Sequence, residues 1–151
     1  MMGMTKEQVL AFNQGVIAEF REHDGVMPEG SIFHGNPTLL LTMTGAKTGR
    51  TLTSPLTYAT DGDDWIVMAS AGGSEKLPGW GHNLRANGEV SLEVLGDSFP
   101  AIATEMLGTD RDHAFSTMIS QQPRFADYQA SVERIIPLFR LSRVNQSGTT
   151  T

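Results

Sequence analysis

Lys47 and Arg50 stand in the stretch Thr44-Gly45-Ala46-Lys47-Thr48-Gly49-Arg50, and no Asp or Glu occurs from Thr38 to Thr60. Gly45 and Gly49 let the backbone take positive φ and come close to a bound group. Successive N–H groups of such a turn form a concave seat for an anion, to which Lys47 and Arg50 add full charges. A solvated basic hairpin tip has the same local pattern, so the turn alone leaves both interpretations open.

A second group of residues lies between Ser70 and Asn87. An apolar run ends in Ala69-Ser70-Ala71, Gly72-Gly73 follows, and Lys76 precedes Trp80, which opens a short helical stretch. The start of a helix exposes unpaired N–H groups that favour an anion or a polarised carbonyl. Trp80 offers a flat wall for a ring system. Against this, Trp80 and Leu84 at i, i+4 also read as a core-facing stripe.

Other chemistries find little support. His23, His34, His82 and His113 lack the HExxH spacing, and the chain has no cysteine, so no metal site is expected. There is no GxSxG elbow and no GxGxxG opening a helix after a strand. Lys47 follows Ala46 rather than the second glycine, and a strand follows it, so the turn is not a P-loop.

The elements around these residues form a small α+β pattern. Thr5 to His23 reads as a helix with Val9, Phe12, Val16 and Phe20 on one stripe, Thr5 as its N-cap and Asp24-Gly25 as its stop. Strands are expected at Thr38–Met43, Leu52–Thr60, Trp65–Ala71, Glu89–Leu95, Phe99–Met106 and Ile135–Val144. Pro55 and Pro137 each imply an edge or a bulge. Asp61-Gly62-Asp63-Asp64 and Gly96-Asp97 read as hairpin turns. Helices are expected at Trp80–Asn87, Asp110–Gln122 (capped by Thr109 or Asp110) and Phe125–Ser131. Hairpins at short spacing suggest a sheet rolled into a barrel.

With 151 residues the chain has the length of one domain, expected over residues 5–145 with a polar, disordered tail at 146–151. A net charge of -6 argues against nucleic acid as partner and suits a local basic seat for a small anion. No apolar run reaches transmembrane length, and the expected location is cytoplasmic; peripheral membrane contact and a monomer or homodimer remain open.

Together, Thr44-Gly-Ala-Lys-Thr-Gly with Ser54-Pro55-Leu56, and Ala69-Ser70-Ala71-Gly72-Gly73-Ser74-Glu75-Lys76-Leu77-Pro78-Gly79-Trp80 with Asn83-Leu84-Arg85-Ala86-Asn87, resemble the deazaflavin (coenzyme F420)-dependent nitroreductase family. The resemblance runs from about Leu39 to the last strand. It implies an FMN-binding split-barrel-like fold, a split β-barrel with an N-terminal helix and short flanking helices. It also implies an oxidoreductase that passes hydride from reduced F420 to an electron-poor hydrophobic acceptor: an enone or coumarin-type lactone, a quinone or a nitroaromatic. FMN is the lesser cofactor alternative, and a non-catalytic module binding deazaflavin, FMN or a lipid is the alternative function.

Residue by residue, the resemblance places Ala46, Lys47, Thr48 and Arg50 at the coenzyme's anionic part. It places Leu52, Thr53, Ser54, Pro55, Leu56 and Thr57 along the next strand, and Met68, Ala69, Ser70 and Ala71 beside the ring. Lys76, Gly79, Trp80, Gly81, His82 and Asn83 form the helix mouth. Ser70 and Tyr128 are the expected hydroxyls for the reaction, and Phe125 and Tyr128 the expected substrate contacts. The family commonly has Arg at the Ala46 position, so Arg50 would supply that charge. It often has Tyr where Gly81 stands, which suggests a roomier mouth. Some members carry Tyr at the Phe125 position, and Phe125 has no hydroxyl to orient a nitro group.

Overall fold

The computed structural model describes residues 6–31, 35–70 and 77–144, without the side chains of Lys6 and Val9. Eleven elements follow in the order α1 (Lys6–Glu22), β1 (Thr38–Thr44), β2 (Thr51–Thr57), β3 (Ala59–Asp61), β4 (Asp64–Met68), α2 (Gly79–Ala86), β5 (Glu89–Val94), β6 (Asp97–Met106), α3 (Gly108–Gln121), α4 (Arg124–Ala130) and β7 (Leu138–Arg143). The strands form a single antiparallel sheet in the order β2-β1-β5-β6-β7-β4-β3.

The connectivity forces this sheet to curl. Its two edge strands, β2 and β3, are consecutive in the chain with only Tyr58 between them. One residue spans a few ångströms, so the two edges must meet at Tyr58. They part again beyond it, which gives a barrel split along one seam. The expected α+β split barrel is therefore the observed fold.

Alternation along the strands sends one set of side chains inward. Leu39, Leu41, Met43, Tyr58, Val67, Ala69, Val90, Leu92, Val94, Phe99, Phe139 and Leu141 form the interior, with Leu84 of α2 closing one end. On the outside, Ile66, Met68 and Leu138 meet Ala114 and Met118 of α3 and Phe125 of α4. α1 lays Val16 and Phe20 on Leu40 of β1. Ion pairs pin the helices: Arg21 grips Glu93 through Nε and Nη2 at 3.0 and 2.7 Å, and Arg85 grips Glu105 at 2.9 and 2.8 Å. Arg140 of β7 holds Asp61 and Asp64, the two ends of the β3–β4 hairpin, at 2.6 and 3.0 Å.

Several expectations shift. The stripe of α1 is core only in its second half, since Leu10 and Phe12 are exposed; Thr5 lies outside the described residues. The second expected strand breaks at Tyr58, where the chain passes from one sheet edge to the other. The β5–β6 turn is Leu95-Gly96, at φ 49° and 88°, because Val94 pairs with Asp97 and leaves only those two residues between. Asp110 does not cap α3, which begins at Gly108 and has no side-chain cap. Pro137 precedes β7, a central strand between β6 and β4, and its carbonyl accepts from the Ala69 N–H at 2.9 Å. The tail at 146–151 lies outside the described residues.

Candidate active site

The turn between β1 and β2 is built by its own hydrogen bonds. Gly45 N–H donates to the Arg50 carbonyl at 2.7 Å, Gly49 N–H to the Gly45 carbonyl at 3.0 Å, and Arg50 N–H to Thr48 Oγ1 at 3.2 Å. Gly49 has φ of 73°, as expected. Gly45 does not; a Cβ there would stand 2.9 Å from Thr48 Oγ1 and 3.3 Å from a Leu52 methyl, so glycine is needed for space instead.

One hydrogen bond joins the two motifs that the sequence singles out. Ala46 N–H donates to Asn83 Oδ1 of α2 at 2.8 Å. The turn is thereby fixed to the helix that carries Trp80, 37 residues away in sequence. The Ala46 amide is used up by this bond. Those of Lys47 and Thr48 have no partner among the described residues, and Ala46 to Arg50 are all exposed. Arg21, Arg85 and Arg140 are each paired with acids, whereas Lys47 and Arg50 have no acidic partner among the described residues.

β2 leads from this turn along the seam. Arg50 C=O and Tyr58 N–H both point to the β1 side, so residues 52, 54 and 56 do too, and 51, 53, 55 and 57 turn their backbone groups to the open edge. The missing donor of Pro55 falls on that open edge and costs no ladder bond, as expected for an edge strand. The side chains divide likewise. Leu52, Ser54 and Leu56 lie on the interior face and are not fully buried, although Leu39 and Leu41 opposite them are. Thr53, Pro55 and Thr57 lie on the outer face, where Thr53 Oγ1 meets Thr42 Oγ1 at 2.9 Å and Pro55 is buried.

Across the seam the end of β4 divides in the same way. Ala69 packs in the interior cluster, against which Leu56, Leu77 and Trp80 lie partly buried. Trp80 rests on Phe139 with ring centroids 6.0 Å apart. Met68 points outward into the cluster of α3 and α4, so it does not form a wall opposite Trp80. Ser70 is only 5% exposed, and its hydroxyl has no partner among the described residues. Gly79 and His82 are exposed at the start of α2. Gly81 is buried, and a Cβ there would stand 2.8 Å from Leu77; Leu77 fills the space, so no wider mouth results. Phe125 and Tyr128 stack edge to face at 5.0 Å on the outer side of β4. Ala71 and Lys76 lie outside the described residues, as does His34.

Three further residues, not among the expected site residues, stand at the seam. Tyr58 sits at its apex with its ring in the interior; burial raises its pKa, and its hydroxyl has no partner among the described residues. Gln121 seals the outer edge of β3, accepting from Thr60 N–H at 2.9 Å and donating to the Thr60 carbonyl at 2.8 Å. Arg124 reaches Thr57 Oγ1 at 3.4 Å. Each is brought there by the curl of the sheet and the helices packed on it. An open groove of about 500 Å³ lies elsewhere, on the outer face, lined by Thr42, Thr51, Glu89, Ser91, Pro100 and Ile102 among others. It includes neither Trp80 nor Ser70.

The donor set fits a planar ring with an anionic extension. Lys47 and Arg50, without acidic partners among the described residues, stand at one end, partly exposed Leu52, Leu56 and Trp80 flank the middle, and the buried Ser70 hydroxyl, with no partner among the described residues, lies at the other side. Among the described residues no histidine or carboxylate cluster could hold a metal, and no helix is long and apolar enough to cross a membrane.

Comparison with known proteins agrees with this chemistry. The chain is 39% identical over 132 residues to an F420H(2)-dependent quinone reductase of Mycobacterium tuberculosis, covering 82% of this chain and 89% of that one. A solved F420-H2 dependent reductase, FDR-A, superposes with a TM-score of 0.66 at 34% identity, over 70% of this chain and 94% of that one. A solved chain described as a domain-swapped dimer gives 0.67 at 29% identity, over 91% of this chain and all of that one. Residues 15–143 match the family described as F420H(2)-dependent quinone reductase. The chain therefore belongs to the F420H(2)-dependent quinone reductase family and is an F420-dependent oxidoreductase on a split barrel, as its sequence resemblance implied.

Proposed function

We propose that the protein reduces quinones with hydride from F420H2, holding the coenzyme along the seam between β2 and the end of β4. The observation that carries this reading is the Ala46–Asn83 hydrogen bond, which brings the unpaired Lys47 and Arg50 to the same structure as Trp80. When bound, the coenzyme supplies the hydride.

The protein's part is to bind, orient and exclude water. Lys47, Arg50 and the free amides of Lys47 and Thr48 hold the phosphate and carboxylates by charge-assisted hydrogen bonds. Thr53 and Thr57 offer backbone groups on the open edge of β2 to polar atoms, while Leu52, Ser54, Leu56, Trp80 and Ala69 line the inner side. The Ser70 hydroxyl donates to a ring or substrate carbonyl, which would satisfy a buried group that lacks a partner among the described residues. Quinone enters from the side of α4, over the partly exposed Tyr128, whose ring rests on the buried Phe125. Holding donor and acceptor carbons in contact supplies up to about 7–11 kcal/mol of the acceleration. Phe125 gives no hydroxyl on that side, which favours a quinone over a nitroaromatic.

Steady-state assay with F420H2 and a panel of a naphthoquinone, an enone, a coumarin and a nitroaromatic tests this. Oxidation of F420H2 above the protein-free rate, fastest with the naphthoquinone, is expected. Coenzyme binding without turnover of any acceptor would instead establish a storage module.

A further inference from the structure

Among the described residues Arg124 is a cation whose hydrogen-bond partners are all neutral. Its Nη1 donates to Asn36 Oδ1 at 3.2 Å and Gln122 Oε1 at 3.0 Å, Nη2 makes a long contact of 3.4 Å to Thr57 Oγ1, and the guanidinium lies over the Phe125 ring at 5.0 Å. The group is partly buried and held from three directions, yet no carboxylate answers its charge among the described residues. Arg21 and Arg85 grip their glutamates with the Nε–Nη2 edge. On Arg124 that same edge carries, among the described residues, only the long contact to Thr57. A guanidinium fork fits two-point recognition of an anionic oxygen, and here it is pre-oriented.

Its position decides which anion. Thr51 and Thr57 are the two ends of β2, about 20 Å apart at roughly 3.3 Å per residue. The coenzyme's permanent charges have their partners, Lys47 and Arg50, at the Thr51 end. Arg124 stands at the Thr57 end, beside Phe125 and Tyr128, where the acceptor is placed. The charge that needs a partner there appears only during reaction: hydride carries two electrons and one proton to the quinone and leaves one oxygen as a hydroquinone anion. A proton from solvent then completes the hydroquinone, and the coenzyme departs oxidised.

We propose that Arg124 is a catalytic residue that binds the quinone oxygen and stabilises its developing negative charge through the open Nε–Nη2 edge. This rests on the assignment of the seam as the coenzyme and quinone site. A donor aimed at charge that develops in the transition state acts on kcat more than on ground-state affinity.

Three measurements on the full chain test it. With F420H2 and a naphthoquinone, Arg124→Gln lowers kcat by on the order of 10²-fold, while the Kd for oxidised F420 stays within about threefold of native. Arg124→Lys keeps the charge but not the fork and lies between the two; it also decides the matter if the Gln variant does not fold. Calorimetry without coenzyme uses 2-hydroxy-1,4-naphthoquinone, an enolate at neutral pH; native protein binds it at least about tenfold more tightly than Arg124→Lys does. A native-like kcat in a folded variant, or equal enolate affinity, overturns the proposal. So does a tenfold rise in the F420 Kd with kcat preserved, which would make Arg124 a coenzyme ligand. Failure of native protein to bind F420 or reduce any quinone overturns the site assignment itself, whatever the variants do.

Discussion

Lys47 and Arg50 have no acidic partner among the described residues of an acidic protein, and their exposure sets what they can contribute. Each is solvated until a ligand arrives, so their role is recognition rather than stability. A charge-assisted hydrogen bond to phosphate is worth about 1.5–3 kcal/mol, so Lys47→Ala raises the F420 Kd roughly tenfold or more while leaving the melting temperature unchanged. Fluorescence titration together with a thermal melt checks both halves, and unchanged affinity would return the turn to a solvated hairpin tip. Tyr58 makes the opposite kind of contribution. Burial raises its pKa, so the folded state keeps the proton more tightly than the unfolded chain, whose tyrosines titrate near pH 10. Stability from this group is complete below that pH and is lost as pH rises through the folded-state pKa. Tyr58→Phe therefore flattens the alkaline limb of a stability–pH profile and leaves neutral pH little changed. An identical alkaline limb in the variant would contradict this.

At the scale of elements, the hinge between the turn and α2 is Asn83. Removing its side chain releases the exposed Ala46 amide to water and frees the turn. Asn83→Ala should cost about 1 kcal/mol of stability, measured by urea unfolding. It should also weaken F420 binding at low salt, since Asn83 Oδ1 accepts from the turn; a coenzyme affinity equal to native would show that the turn needs no fixing. Gln121 plays a comparable part for β3, where its amide replaces the strand that an edge lacks. Gln121→Ala should destabilise by about 1–2 kcal/mol and increase aggregation on heating, read by light scattering; loss of neither would mean that the edge is protected otherwise. The elements themselves were legible because their periodicities are plain: Val90, Leu92 and Val94 alternate on β5, and Ala114 and Met118 keep helical spacing on α3. Boundaries failed where local signals have two meanings. Pro137 can end an edge strand or precede a central one, and Gly96 can occupy either position of a two-residue turn.

For the molecule as a whole, the topology makes the site. Two edge strands joined through Tyr58 must converge and then part, so the sheet opens along one seam, with the turn after β1 tied to α2 through Asn83. The sequence revealed both motifs because Gly, Lys, Ser and Trp at fixed separations leave a readable pattern. Spacing along the chain does not say that Arg124 reaches Thr57 or that Gln121 covers Thr60, since both contacts follow from α3 and α4 packing on the outer face of β4. Nor could spacing tell that Met68 faces away from Trp80; that follows from the side on which Ala69 is buried.

The central claim is that the seam reads the coenzyme at two places, a ring between β2 and β4 and an anionic tail at the Lys47 turn. Comparing the affinities of oxidised F420 and of the same deazaflavin lacking the phosphate and its extension, in native protein and in the Lys47→Ala/Arg50→Ala double variant, tests both at once. Native protein should prefer the full coenzyme by at least about tenfold, and the double variant should lose that preference while keeping its affinity for the shortened ring compound. If the double variant keeps the full preference, the tail is held elsewhere, and the account of this site is wrong.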